Sequence, residues 1–476
     1  MDLFKMKKSN FVMQAAVASA MLFSASAFAV VDIDAVTPVP LIYASELVAT
    51  VAVPVTLTNA GNILDLTVLT GYSLAAGEVR YIRVSLDNGS IFSGVSTAVA
   101  TTPANCALGA VNGQGTNALY FSVTGAGTGC TATDIITVAG AVAISTTATA
   151  TTVSYSMFDQ PSQAQAGGAT GRIVNKASKP YLTFASSYAL VGAAGTNVVA
   201  DVGATVPFSQ FIVAAPTTAV AAALGTLTYR LATVVPLKAS GVAITLADLM
   251  ATGATGTKLV VTGDFSAVAG ANAAANLTNV FLATNGTCTS VQPATALTST
   301  TATFNVGATT TTGSTQLCYT VNGTTAVPAQ VYSAVLNPVS ATPATYAVTS
   351  ITGAAAGSIT HNGTELQTPL FQNTTGYVSR FVLTNTSAVA APYTVLTYGE
   401  TGNTITAGAA ITGTVPANGM LVVPADTVAA SFSGAPRGFA VFNVAAPSNA
   451  IQGVFQIVNS ATGAVSNTIM VRSGVN

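Results

Sequence analysis

The feature that most constrains this chain is its strand-and-turn grammar, in which short runs of Val, Thr, Ala, Tyr and Phe alternate with polar residues and stop at Gly, Asn or Pro. Branched and aromatic side chains suit a pleated, half-buried surface, and a period of two puts alternate residues on one face. Leu119-Tyr120-Phe121-Ser122-Val123, Thr303-Phe304-Asn305-Val306 and Arg380-Phe381-Val382-Leu383-Thr384 are runs of this kind. Asp87-Asn88-Gly89, Asn285-Gly286, Asn322-Gly323, Asn362-Gly363 and Asn418-Gly419 predict tight hairpins, because Asn-Gly supplies positive φ angles at little cost. Helical periodicity is nearly absent, with one helical turn expected over Leu246 to Met250. The fold class read from these patterns is all-β, as tandem antiparallel β-sandwich domains.

Residues 1–29 read as an export signal rather than as part of the fold. Lys5, Lys7 and Lys8 form a basic head, an apolar run follows from Phe11 to Phe28, and Ala27-Phe28-Ala29 supplies the small-x-small cleavage pattern before Val30. No later stretch offers the roughly 20 consecutive apolar residues of a membrane helix, so no transmembrane span is expected.

Two regions repeat one order of landmarks. Arg80-Tyr81-Ile82-Arg83-Val84 is followed by Cys106, then Phe121-x-Val123, a Gly-rich turn and Cys130. Lys258-Leu259-Val260-Val261 is followed by Cys288, then Phe304-x-Val306, a Thr- and Gly-rich turn and Cys318. Two related domains are the simplest account, one over 30–160 and one over 161–343. From about Pro343 the style changes to a cysteine-free succession of strands through Phe371, Val378, Tyr393, Leu421, Phe439 and Phe455, expected as a third sandwich over 344–476.

A leader that sends the chain to an oxidising compartment makes disulfides the natural use of Cys106, Cys130, Cys288 and Cys318. Four cysteines allow three connectivities. The local one closes two loops of a few tens of residues, each contributing roughly 3 kcal/mol on the chain-entropy view. No Cys-x-x-Cys spacing exists and the single histidine, His361, is remote in sequence, so no metal site is expected.

Charge is scarce. Only 6% of residues are Asp, Glu, Lys or Arg, and the formal net charge is −1, against about 25% charged residues in ordinary globular domains. A nucleic-acid partner would require a basic patch, so that class is excluded. A surface this poor in charge offers little repulsion between copies, which favours association.

The segment Ser379-Arg380-Phe381-Val382-Leu383-Thr384-Asn385, with Tyr393-Thr394-Val395, Tyr398-Gly399-Glu400 and Val415-Pro416-Ala417-Asn418-Gly419, resembles Ig-like modules of bacterial surface proteins. The whole pattern of leader, few charges, abundant Thr, Ala, Val and Gly, no Trp and repeated β-modules is similar to S-layer proteins of Gram-negative bacteria. That resemblance implies an extracellular location at the cell surface, a homo-oligomeric lattice, and attachment to the outer membrane or its lipopolysaccharide. The chain departs from many such proteins in lacking Asp-rich calcium repeats and in carrying cysteines.

No catalytic constellation emerges, so the chain is expected not to be an enzyme and to need no cofactor. His361 lacks a Gly-x-Ser-x-Gly elbow and reads as a turn residue beside Asn362-Gly363. The acidic residues, scattered from Asp32 to Asp426, read as surface charges, with Asp32 and Asp34 solvating the mature N-terminus. Gly125-Ala126-Gly127-Thr128-Gly129 lacks the following Lys and helix of a phosphate loop and reads as a turn. The Asn-x-Thr triplets at Asn285 and Asn322 follow from turn chemistry without a glycan. The expected function is a structural, self-assembling S-layer or similar coat, with a secreted adhesin or carbohydrate-binding surface protein as the rival.

Overall fold

The computed structural model describes residues 30–472, apart from 60–63, 103–104, 195–197, 202–203, 207, 213–218, 271–275, 284–287, 289–291, 308–311, 389 and 447–449. Among the described residues the chain is a succession of β-strands with a few helical turns, so the all-β expectation is met. Its contacts fall into two compact units, one built mainly from Ala49–Thr183 and the other mainly from Phe184–Lys238 and Ala243–Asn476.

The first unit is a two-sheet sandwich. One sheet runs Leu41–Ala44, Arg172–Ala185, Thr151–Phe158, Val79–Leu86, Ala118–Gly125, Cys106–Leu108. In the other, Val31–Asp32 lies beside Leu64–Leu69; Leu64–Leu69 and Val55–Leu57 follow one another along one side of Ile135–Ile144, and Ile91–Thr102 lines its other side. Alternation does the packing: Ile82, Val84, Leu119, Phe121, Val123, Val153 and Tyr155 point inward from one sheet, and Leu64, Leu66, Val68, Ile136 and Val138 meet them from the other, all buried.

Within the second unit, the first of two sandwiches repeats that plan. Its larger sheet runs Val198–Ala200, Ile351–His361, Gln330–Asn337, Lys258–Thr262, Thr301–Asn305, Ala296–Leu297. The strand of Lys258 takes the place that the strand of Arg80 holds in the first unit, and the strand of Phe304 takes that of Phe121, so the landmark repeat reflects a shared strand order. The facing sheet runs Tyr188–Ala194, Ala221–Leu231, Thr312–Thr320, Val280–Ala283, Gln292–Pro293.

The C-terminal sandwich has one sheet ordered Thr412–Val415, Ala391–Gly399, Arg437–Val444, Thr364–Gln372, Val471–Arg472, and another ordered Gly419–Pro424, Tyr377–Asn385, Ile451–Asn459, Val465–Ile469. Between them Phe371, Phe381, Phe442 and Phe455 form a tilted aromatic cluster, with Phe381 centroids 4.8 Å from Phe442 and 5.2 Å from Phe455.

Four details depart from the sequence expectations. Arg172–Ala185 is hydrogen-bonded to Thr151–Phe158, so a division at residue 160 cuts a sheet, and Ile351–His361 pairs with Gln330–Asn337, so the second sandwich runs past 343. Ladder hydrogen bonds, which sequence composition does not register, set both limits.

The sheets are not wholly antiparallel either: Val31–Asp32 runs parallel to Leu66–Thr67, and Val198–Ala200 parallel to Ile359–His361. In each of these two sandwiches the entering chain contributes a segment to both sheets, and one of the two segments runs parallel to the strand beside it.

The Asn-Gly turns are not hairpins within a sheet. Asn88 and Gly89, Gly323, and Asn418 do adopt positive φ (52°, 70°, 73° and 47°). Each, however, carries the chain from one sheet of a sandwich to the other, and Asn362-Gly363 carries it from the sheet of Ile351–His361 in the second sandwich to that of Thr364–Gln372 in the C-terminal one. Asn285-Gly286 lies outside the described residues. The local signal specifies reversal, while the partner of the next strand is a non-local choice.

The helical turn is present at Leu246–Leu249, where Thr245 Oγ1 accepts from Asp248 N and the Asp248 carboxylate accepts in return from Thr245 N at 2.9 Å. A second short helix, Pro161–Ala166, is outside the sequence expectations, and Pro at its first position is its start signal.

Candidate functional site

The four cysteines pair locally. Cys106 bonds to Cys130 with Cα atoms 4.9 Å apart, and Cys288 to Cys318 at 5.9 Å. The two bridges staple different places despite the repeat. Cys106 lies on the edge strand of the larger sheet in its sandwich, whereas Cys318 lies within Thr312–Thr320, whose ladder also holds Val280–Ala283.

Asp134 Oδ2 lies 3.2 Å from Cys106 Sγ, and Cys106, Cys130 and Asp134 place one potential ligand atom each within 4.8 Å of the others. Both sulfurs are consumed in the disulfide, so the group presents one carboxylate and no thiolate to an ion. That carboxylate is already engaged: it accepts from Thr131 N and Thr131 Oγ1, each at 2.7 Å.

The acidic residues serve architecture, and two of them are buried rather than on the surface. Asp134 is one. The other is Glu46, whose oxygens accept from Ser187 N at 2.9 Å and Ser187 Oγ at 2.6 Å. A buried carboxylate persists only when such donors replace its lost water. Asp34 does more than solvate a tail: it pairs with Lys176 and accepts from Leu69 N at 2.6 Å, while Lys176 donates to Leu69 O at 2.7 Å and lies over the Tyr155 ring. Glu78 and Asp159 both engage Arg80, Asp248 engages Lys238 at 3.2 Å, and Glu400 engages Arg437 at 2.6 Å.

His361 ends a strand rather than sitting in a turn. Its Nε2 meets Val327 O at 2.8 Å and its ring lies flat on Phe208. Gly125 to Gly129 makes a turn, with Gly129 N donating to Ala126 O at 2.8 Å. Asn322 Oδ1 accepts from Thr324 N and Thr325 N, both at 2.9 Å, so its turn is closed by its own side chain.

What stands out instead is apolar surface on the C-terminal sandwich. In the sheet of Tyr377–Asn385, Val422 pairs with Val382, Val382 with Val454, and Val454 with Ile469, all on the face turned from the core. Ile469 is 77% exposed, Met420 61%, and Val378 and Val465 53% each. Arg380 is the sole charge in these four strands, and its Nε donates to Gln456 Oε1 at 2.9 Å. On the other sheet, Tyr398 and Phe439 are exposed and stack at 4.6 Å, beside Leu396 and the Arg437–Glu400 pair. Sequence reasoning missed both features because it assigned one face of every strand to solvent and expected that face to be polar.

No protein-family model matches the sequence, and no curated protein matches it either. Among solved structures the chain is similar to BcpA, the major pilin subunit of Bacillus cereus, at 8% identity over 80% of this chain and 96% of that one, with a TM-score of 0.23. It is also similar to the Escherichia coli adhesin FdeC, at 12% identity over 64% of this chain and 65% of that one, with a TM-score of 0.14. Neither likeness carries a ligand or partner across. No helix among the described residues is long and apolar enough to cross a membrane.

Proposed function

We propose that this chain is a structural, non-catalytic cell-surface protein that associates with its own copies into an S-layer-like extracellular coat on a Gram-negative bacterium. The observation that carries this reading is the uncharged outward row Val422, Val382, Val454, Ile469 across a whole sheet. Contiguous exposed apolar surface on a soluble domain marks an interaction site. Two disulfides support residence in an oxidising compartment, and 6% charged residues leave little to hold copies apart. Attachment would be to the outer membrane or its lipopolysaccharide.

Electron microscopy of cells with and without the protein, paired with sedimentation of the purified mature chain, tests it. A periodic layer lost with the protein and large assemblies in solution are expected. Single molecules at every concentration and ionic condition would sink the coat reading.

A second reading, an adhesin or carbohydrate-binding surface protein, is favoured by the exposed Tyr398–Phe439 pair next to Arg437 and Glu400. Aromatic faces flanked by charged hydrogen-bonding groups are a usual platform for sugars. Glycan-array binding by a monomer, abolished in Tyr398→Ala, would favour it.

A further inference from the structure

The strand Val465–Ile469 stands at the edge of its four-stranded sheet, and all five of its residues are exposed. Proteins commonly protect such an edge with Lys, Pro, a bulge or a covering segment. This one pairs in unbroken register with Ile451–Asn459, and no charged residue stands between Arg437 and Arg472.

The ladder shows which of its backbone groups have no partner among the described residues. Met470 N donates to Gly453 O at 2.9 Å, so Thr468 and Ser466, at alternate positions, also face the neighbouring strand. The N–H and C=O groups of Val465, Asn467 and Ile469 therefore point away from the sheet. The order Val-Ser-Asn-Thr-Ile reads the same in character from either end. Laid antiparallel on itself about Asn467, it sets Val opposite Ile, Ser opposite Thr and Asn opposite Asn.

We infer that this edge pairs with the same edge of a second copy, across a two-fold axis passing beside Asn467. The inference rests on the self-assembly reading and names its contact. Val465 would exchange hydrogen bonds with the second copy's Ile469, and Asn467 with its counterpart, giving an isologous contact. The side chains of Val465 and Ile469 lie on the same outward face as Val458 and Val454. Joining the edges thus puts branched side chains directly opposite one another and continues the apolar row into the second molecule. No other occupant is needed to account for the symmetry of the segment.

The test uses the full mature chain. Asn467→Pro removes an N–H that the chain's own ladder does not use, a position where an edge strand tolerates Pro. Asn467→Lys sets like charges beside the axis. Both should keep the wild-type circular dichroism spectrum and melting temperature yet lose the dimer by analytical ultracentrifugation, with at least a tenfold weaker association.

Asn467→Cys should form an intermolecular disulfide on mild oxidation, since hydrogen-bonded antiparallel partners stand about 5.5 Å apart, within disulfide reach. Ser466→Cys, which faces Thr468 of the second copy, should cross-link at least tenfold less. Folded variants that associate as wild type does, or equal cross-linking by the two cysteine variants, would overturn this contact while leaving the coat reading intact. A wild-type chain monomeric throughout would overturn both.

Discussion

The imidazole of His361 lies against the ring of Phe208 with centroids 3.8 Å apart and planes 7° apart. Burial lowers its pKa from the usual 6.5, while the hydrogen bond to Val327 O and the charge of Glu365 oppose that shift without cancelling it. A base whose folded pKa is depressed binds protons more readily when unfolded, so the second unit should be most stable above about pH 6.5 and lose stability as pH falls through the folded pKa. His361→Phe should flatten this dependence between pH 7.5 and pH 5. Urea titrations of both proteins at the two pH values check it; equal slopes would exclude His361 as the origin.

The Cys106–Cys130 bridge spans 24 residues of chain. Replacing both cysteines with Ser should destabilise the first unit by about 3 kcal/mol, the loop-closure entropy returned to its unfolded ensemble. A chemical denaturation midpoint unchanged by the double substitution would refute the stapling role. The second unit should be unaffected by this change.

Asp34 ties the segment just after Val31–Asp32 to the sandwich through Lys176 and Leu69 N. Asp34→Ala leaves a half-buried ammonium without its anion and an amide without its acceptor. A loss of about 1.5–3 kcal/mol is expected, since a hydrogen bond to a charged group is worth about that much. Thermal unfolding of the variant measures it, and Asp32→Ala, whose carboxylate among the described residues accepts only from Asp34 N, serves as the comparison with a smaller loss.

Met420 and Val378 are exposed on the outward face of the C-terminal sandwich and lie outside its core. Replacing each with Lys should change the melting temperature little, because surface substitutions usually fall within about 0.5 kcal/mol. Assembly should nonetheless weaken, and the weakening should diminish as salt screens the added charge. Light scattering across an ionic-strength series reads both effects together.

Thr245 caps the helical turn that leads into Met250. Thr245→Ala should cost about 1 kcal/mol, the usual value of an N-cap side chain. Calorimetry of the variant checks the figure, and Thr245→Ser should recover most of the loss because it restores the hydroxyl.

Legible in the sequence alone were the β class, the close spacing of the cysteines in two pairs and the landmark repeat around Arg80 and Lys258. These follow from short-range physics: alternation selects strands, Asn-Gly permits positive φ, and local loops close most readily. Tertiary structure alone decided that Asn88-Gly89 and Asn418-Gly419 join opposite sheets, that Glu46 and Asp134 are buried, and that Val382 and Val454 face outward on a sheet that no described segment covers. A period of two tells which residues share a face. It does not tell which face finds a partner, because that depends on segments far away along the chain.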